Sequence, residues 1–140
     1  MEAPALFISH GSPMIALEPG DFGPTLRAWA ARAPKPRALV VVSAHYQTGA
    51  GAAVTSSEQP RTVHDFGGFA PELYRLCYPA PGDPALASRV ATLVSASGRE
   101  VMLDPARGLD HGAWIPLRFL FPAADVPVVE LSIPADTGWT

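Results

Sequence analysis

The sequence predicts an α/β fold: a mainly parallel sheet with helices on both faces. Three observations carry this. Short apolar runs take turns with segments of helical period, the apolar runs do not alternate with polar residues, and prolines and glycines punctuate nearly every boundary. The chain has 140 residues, 48% of them hydrophobic and 16% charged, with 16 prolines and 12 glycines. Such a composition excludes a disordered chain and suffices for one core.

In chain order, residues 3–9 (APALFIS) form an apolar run ending at His-Gly-Ser-Pro, which predicts a buried strand entering a loop. Residues 22–33 place Phe22, Leu26, Trp29 and Ala30 at helical spacing, and Pro34 and Pro36 stop that helix. Residues 38–44 (ALVVVSA) are apolar on both alternating sets, as in a strand covered on both faces. A further strand is expected at 52–56, then a polar loop at 59–69 containing His64-Asp65-Phe66-Gly67-Gly68, then a short helix at 71–77. Residues 84–97 give the clearest helix, with Asp83 as N-cap, Pro84 at the first position and Leu86, Val90, Leu93 and Val94 on one face. Gly98 closes it. A strand at 100–103, a helix at 113–121 and a strand at 126–133 (VPVVELSI) complete the pattern. A strand buried on both faces needs cover, so the domain is expected to continue beyond the strand ending near Ile133 and the chain to be truncated there.

Ten Lys+Arg against thirteen Asp+Glu leave a net charge of −3. With no basic cluster, nucleic acid and anionic membrane are not expected partners. No apolar run reaches the roughly 18 residues of a membrane helix. A single cysteine, Cys77, excludes an internal disulfide and points to a reducing, cytoplasmic setting.

The four histidines, His10, His45, His64 and His111, carry most of the functional information. His10 and His45 directly follow two apolar runs, and ligands of open parallel sheets bind beyond the carboxyl ends of strands. Two imidazoles there can converge on one ion; the alternative is that each caps its strand and bonds a loop carbonyl. Gly11 lets the backbone pass close to a bound group, and Ser12 supplies a hydroxyl. His64-Asp65 is suggestive because a carboxylate can orient an imidazole, yet adjacent residues of an extended segment point opposite ways, and the alternative is a loop histidine exposed to solvent. Asp110 reads as an N-cap. His111 fits a proton donor or a hydrogen-bond partner for a substrate oxygen. Glu130 is the one acid inside an apolar strand. It offers the carboxylate of a two-histidine iron site, but its mid-strand place favours an acid on an edge strand or one paired by a further part of the domain. Trp114, Phe66 and Phe69 either wall a flat substrate or fill the core. No phosphate loop, dinucleotide fingerprint or G-x-S-x-G elbow is present.

Five motifs occur in order: Leu6-Phe7-Ile8-Ser9-His10-Gly11-Ser12-Pro13, Val41-Val42-Ser43-Ala44-His45-Tyr46, Val63-His64-Asp65-Phe66-Gly67-Gly68-Phe69, Tyr78-Pro79-Ala80-Pro81-Gly82 and Asp110-His111-Gly112-Ala113-Trp114. Together, from residue 3 to residue 133, they closely resemble the class III extradiol ring-cleavage dioxygenases, 4,5-DOPA dioxygenase branch. The resemblance implies an enzyme on an α/β sheet domain holding a non-haem divalent metal, Fe(II) or Zn(II). It makes His10 and His45 metal ligands and sets His111, His64 and Ser12 near the substrate. The implied reaction opens a catechol ring beside its two hydroxyls with both atoms of O₂. Members of that family run to nearly twice this length, with the remaining ligands and the catalytic-base histidine in the half that would follow Thr140. By the same resemblance, residues 1–140 are the N-terminal portion of one catalytic domain, contain no catalytic base and are expected to be inactive alone. A sheet edge left open favours a homo-oligomer. The runner-up is a non-enzymatic metal-binding or interaction protein on the same scaffold. A zinc hydrolase is a weaker third, since no H-E-x-x-H spacing occurs.

Overall fold

The structure is a computed structural model that describes residues 3–136. Its elements are α1 (Phe22–Arg32), β1 (Leu39–Thr48), β2 (Ala52–Thr55), α2 (Pro84–Ser95), β3 (Val101–Asp104), α3 (His111–Leu120) and β4 (Val128–Pro134), with 3₁₀ turns at Pro13–Ala16 and Pro71–Arg75. The four strands form one sheet in the order β1-β4-β2-β3. β1 pairs parallel with β4 and β2 parallel with β3, while β2 meets β4 antiparallel through Val54 and Leu131. The fold is therefore α/β with a mostly parallel sheet, as expected.

Alternate residues of β4 feed opposite cores. Val128 belongs to the cluster built on Leu73, Tyr78, Trp114, Ile115 and Leu117, whereas Val129 joins Val54 and Ala87 beneath α2. α1 and α3 thus cover one face, and α2 covers the other. The starts of α2 and α3 follow from their caps: Asp83 accepts from the Leu86 N–H, and Asp110 from the Gly112 N–H.

Three expectations are corrected. Residues 3–9 form no strand and pair with no strand among the described residues. Leu6 and Phe7 stand exposed, because an apolar run becomes a strand only where a neighbouring backbone accepts its ladder. β1 is not covered on both faces: Leu39 and Val41 pack on the α3 core, but Val40 and Val42 are exposed. α2 packs with β2, β3 and β4 and does not reach this edge strand. Finally, β1 runs on through His45, and its pairing with β4 breaks between Val42 and Gln47. His45 therefore sits inside an irregular strand rather than just past its end.

Candidate metal centre

Four segments converge near the carboxyl end of β1. Gly11, at φ +62°, turns the chain after His10 into the first 3₁₀ turn, a backbone conformation that favours glycine. The irregularity in β1 presents His45. Asp110 starts α3 and so fixes His111 in its first turn. An isolated bridge between Thr62 and Leu109 then brings the loop carrying His64 and Asp65 beside the start of α3. Two backbone hydrogen bonds (Val63 N–H to Leu109 O and Leu109 N–H to Arg61 O, 2.8 Å each) hold that bridge, and the Trp114 indole N–H donates to Val63 O at 2.8 Å.

His10, His45 and His111 come together there. The Nε2 atoms of His10 and His45 are 3.1 Å apart. Their ring centroids lie 5.2 Å from each other and 5.1 and 4.0 Å, respectively, from that of His111. One ligand nitrogen from each of the three falls within 4.8 Å of the others. Nitrogens sharing one ion at about 2.0–2.1 Å must approach one another to within about 4 Å, so small side-chain adjustments fit the set to a metal. His111 is buried, His10 half-buried and His45 exposed, which leaves the cluster open on one side. Burial, followed by the neighbouring His111 and His45, lowers the His10 pKa and favours its neutral, ligating form.

Asp65 completes the arrangement, and its partner is His111 rather than the adjacent His64. One Asp65 oxygen accepts from the His111 backbone N–H at 2.9 Å, and the other lies 2.9 Å from His111 Nδ1. The ring nitrogen is not aligned for a hydrogen bond, so the second contact is electrostatic. His64 stands one layer away: its Nε2 is 2.8 Å from Leu76 O, and its ring packs on Phe66, Tyr74 and Trp114. Phe66 lies between, with its centroid 5.5 Å from the His111 ring. The Ser12 hydroxyl accepts from the Met14 N–H and caps the first 3₁₀ turn. Trp114 is fully buried, a core residue, while Phe66 and Phe69 are half-buried at its margin.

Beneath the histidines lies a polar network that sequence reasoning missed. Asp110 is fully buried and accepts from Ser43 Oγ at 2.7 Å, from Gly112 N–H at 2.9 Å and from Arg107 at 3.3 Å. Burial opposes its ionisation, but hydrogen bonds from Glu130 and Ser43, with the Arg107 charge, outweigh that and hold its carboxyl below the usual range. Arg107 also donates to the His45 carbonyl at 3.2 Å and lies 4.5 Å over the Tyr46 ring. Gly112 is required by crowding: a Cβ there would fall 2.6 Å from Ser43 Oγ and 2.8 Å from His45 Cδ2. No sequence signal marked Arg107, and Ser43 stood in the second motif without a role; both reach the site through the fold. Glu130 corrects another expectation. It lies on β4, an interior strand, and is fully buried against Asp110 rather than on an edge.

An α/β sheet with clustered imidazoles near a strand's carboxyl end defines a class: a small-molecule site built on loops, with the donor set of a metal protein. Residues 4–137 match the family model described as the catalytic LigB subunit of aromatic ring-opening dioxygenase, and the chain belongs to this family. A 4,5-DOPA dioxygenase extradiol of Escherichia coli (strain K12) is 49% identical over 131 residues, covering 93% of this chain and 47% of the relative. One from Beta vulgaris is 44% identical over 140 residues, covering 96% of this chain and 51% of the relative. The crystal structure of an uncharacterized protein from Escherichia coli K12 matches with a TM-score of 0.61 at 38% identity, covering 80% of this chain and 40% of that one. The chain thus spans about half the length of the curated relatives it matches.

Proposed function

We propose that this chain carries the histidine cluster of an extradiol ring-cleaving dioxygenase acting on a DOPA-like catechol with O₂. The supporting observation is the convergence of His10, His45 and His111, with ligand nitrogens within 4.8 Å, in a chain of the ring-opening dioxygenase family. His10 and His45 would hold a non-haem divalent metal, Fe(II) or Zn(II). His111 borders the same position, either as a third ligand or as a partner for a substrate oxygen. Bound there, a redox-active ion with open positions would bring catechol and O₂ together for electron transfer between them.

The chain's own residues have definable tasks. Asp65 orients His111, whose imidazole could take and return a proton. Phe66 offers an aromatic edge beside His111 for a flat ring. His64, bound to the Leu76 carbonyl, stiffens the loop that carries Asp65 and Phe66. Ser12 shapes the loop after His10, and its hydroxyl faces substrate only if its capping bond to Met14 opens.

We place these residues in one portion of a single catalytic domain whose other groups, the base among them, correspond to the rest of the relatives' length. The exposed Cys77 and the acidic composition fit a cytoplasmic enzyme. Anaerobic loading of the chain with Fe(II), followed by L-DOPA and O₂, tests this reading by the yellow ring-opened product. The expectation is metal uptake with no turnover by residues 1–140 alone, and turnover when a polypeptide equivalent to the relatives' remaining half is supplied. Turnover by the chain alone would contradict the divided site. Metal uptake with no turnover in the reconstituted form would favour a binding protein on the same scaffold.

A further inference from the structure

We infer that Arg107 is a positioning residue for His45: its guanidinium holds the His45 carbonyl and so fixes where the irregular part of β1 presents the imidazole. The functional consequence rests on the proposed histidine centre, whereas the hold on the His45 backbone does not.

β1 pairs with β4 at Val42 and again at Gln47, and positions 43–46 have no partner in that register. A strand segment without its ladder needs other partners, since a backbone N–H or C=O left unpaired away from water costs free energy. At His45, side chains provide them. The His45 N–H donates to Ser43 Oγ at 3.2 Å, and Arg107 Nη2 donates to the His45 carbonyl at 3.2 Å. The first bond is local to the strand. The second reaches in from the loop between β3 and α3, 62 positions away along the chain.

Arg107 is itself held in place. Its backbone N–H and that of Ala106 donate to Asp104 Oδ1 at 3.0 and 3.1 Å, which folds the loop at the end of β3. Gly108 follows at a point where a Cβ would overlap the Arg61 carbonyl oxygen, so the loop is pinned on its far side as well. The guanidinium lies 4.5 Å over the ring of Tyr46, a buried residue whose hydroxyl donates to Asp104 Oδ2 at 3.1 Å. Asp104 thus sets both the loop that carries Arg107 and the ring on which its side chain rests. From that platform Nη2 offers two protons, and its acceptors are the His45 carbonyl and, at 3.3 Å, the Asp110 carboxylate that caps α3. One nitrogen therefore joins the segment bearing His45 to the residue before His111. A lysine ammonium ends short of the Nη2 position and lacks the flat face that rests on Tyr46, so it is no substitute.

The sign of the effect separates positioning from charge. A cation beside the histidine cluster repels a metal ion, so an Arg107 acting by charge alone would weaken metal binding and its removal would tighten it. An Arg107 that only stabilised the fold would leave metal affinity and the His45 segment unchanged in any variant that folds. Positioning predicts looser metal binding and a looser segment.

The test uses the chain with Co(II) as probe, read by visible absorption, and backbone ¹⁵N relaxation of the metal-free chain. Arg107→Met removes the charge and the donors, whereas Arg107→Lys keeps the charge alone. Both variants are expected to bind Co(II) about tenfold or more weakly than the wild-type chain. The His45 amide, rigid in the wild-type chain, is expected to become mobile in both, while the amides of β4 stay rigid. Co(II) affinity at or above wild type in Arg107→Met, wild-type affinity in Arg107→Lys, or a His45 amide as rigid in both variants as in the wild-type chain would each overturn the inference. If Arg107→Met does not fold, Arg107→Lys, which keeps a charge near the buried Asp110, decides. If the wild-type chain binds no cobalt, the histidine centre fails, while relaxation at the His45 amide still judges Arg107.

Discussion

His111 is held from two directions. Asp110 fixes it through the first turn of α3, and Asp65 reaches it from another loop, bonding its backbone N–H while lying 2.9 Å from its ring. Removing only the charge, as in Asp65→Asn, leaves an oxygen for the backbone bond but weakens the hold on the imidazole. The expected result is a loss of about tenfold in Co(II) affinity with little change in thermal midpoint, measured by titration and by a melting curve on the same sample. The sequence offered Asp65 as a carboxylate that could orient an imidazole, with the adjacent His64 as its candidate partner. It did not show which histidine would be the partner, because that depends on the bridge between Thr62 and Leu109, 47 positions apart by number (109 − 62). His10 and His45 were legible from their place after apolar runs. Arg107 was not, since a surface-type residue in a loop gives no sign that it will reach the His45 carbonyl.

At the scale of elements, the caps Asp83 and Asp110 fixed the starts of α2 and α3, so those helices were readable from local chemistry. β1, β2, β3 and β4 were readable as apolar segments. Their neighbours were not, and two errors follow from that. Residues 3–9 have strand composition without a ladder partner among the described residues, and β4, not an edge strand, carries Glu130. The buried acid Glu130 on β4 makes stability depend on pH. Glu130 is pushed up to about 10, so the folded chain keeps a proton that the unfolded chain has released over the interval above the ordinary carboxyl range. The stabilisation is full below that interval and declines as pH rises through it. The thermal midpoint of the wild-type chain, relative to Glu130→Gln, is therefore expected to fall steadily from about pH 5 to about pH 9. Parallel curves for the two proteins would show that Glu130 is ionised in the fold.

At the scale of the whole molecule, the described residues form two cores on opposite faces of one sheet, and the histidine cluster lies beside the edge strand β1. β1 exposes Val40 and Val42 on one face, and the preceding segment exposes Leu6 and Phe7. Within this unit the claim that matters is that His10 and His45, from two separate segments, hold one metal beside His111. The most direct measurement is an anaerobic Co(II) titration of the chain, read by visible absorption, beside His10→Ala, His45→Ala and His111→Ala. The account predicts one equivalent bound by the wild-type chain and weakening in His10→Ala and His45→Ala beyond the roughly 10–100-fold typical of a residue that only supports a ligand; equal weakening in His111→Ala marks a third ligand, and a smaller effect a partner for a substrate oxygen. No saturable binding by the wild-type chain, or wild-type affinity in His10→Ala or His45→Ala, would contradict it.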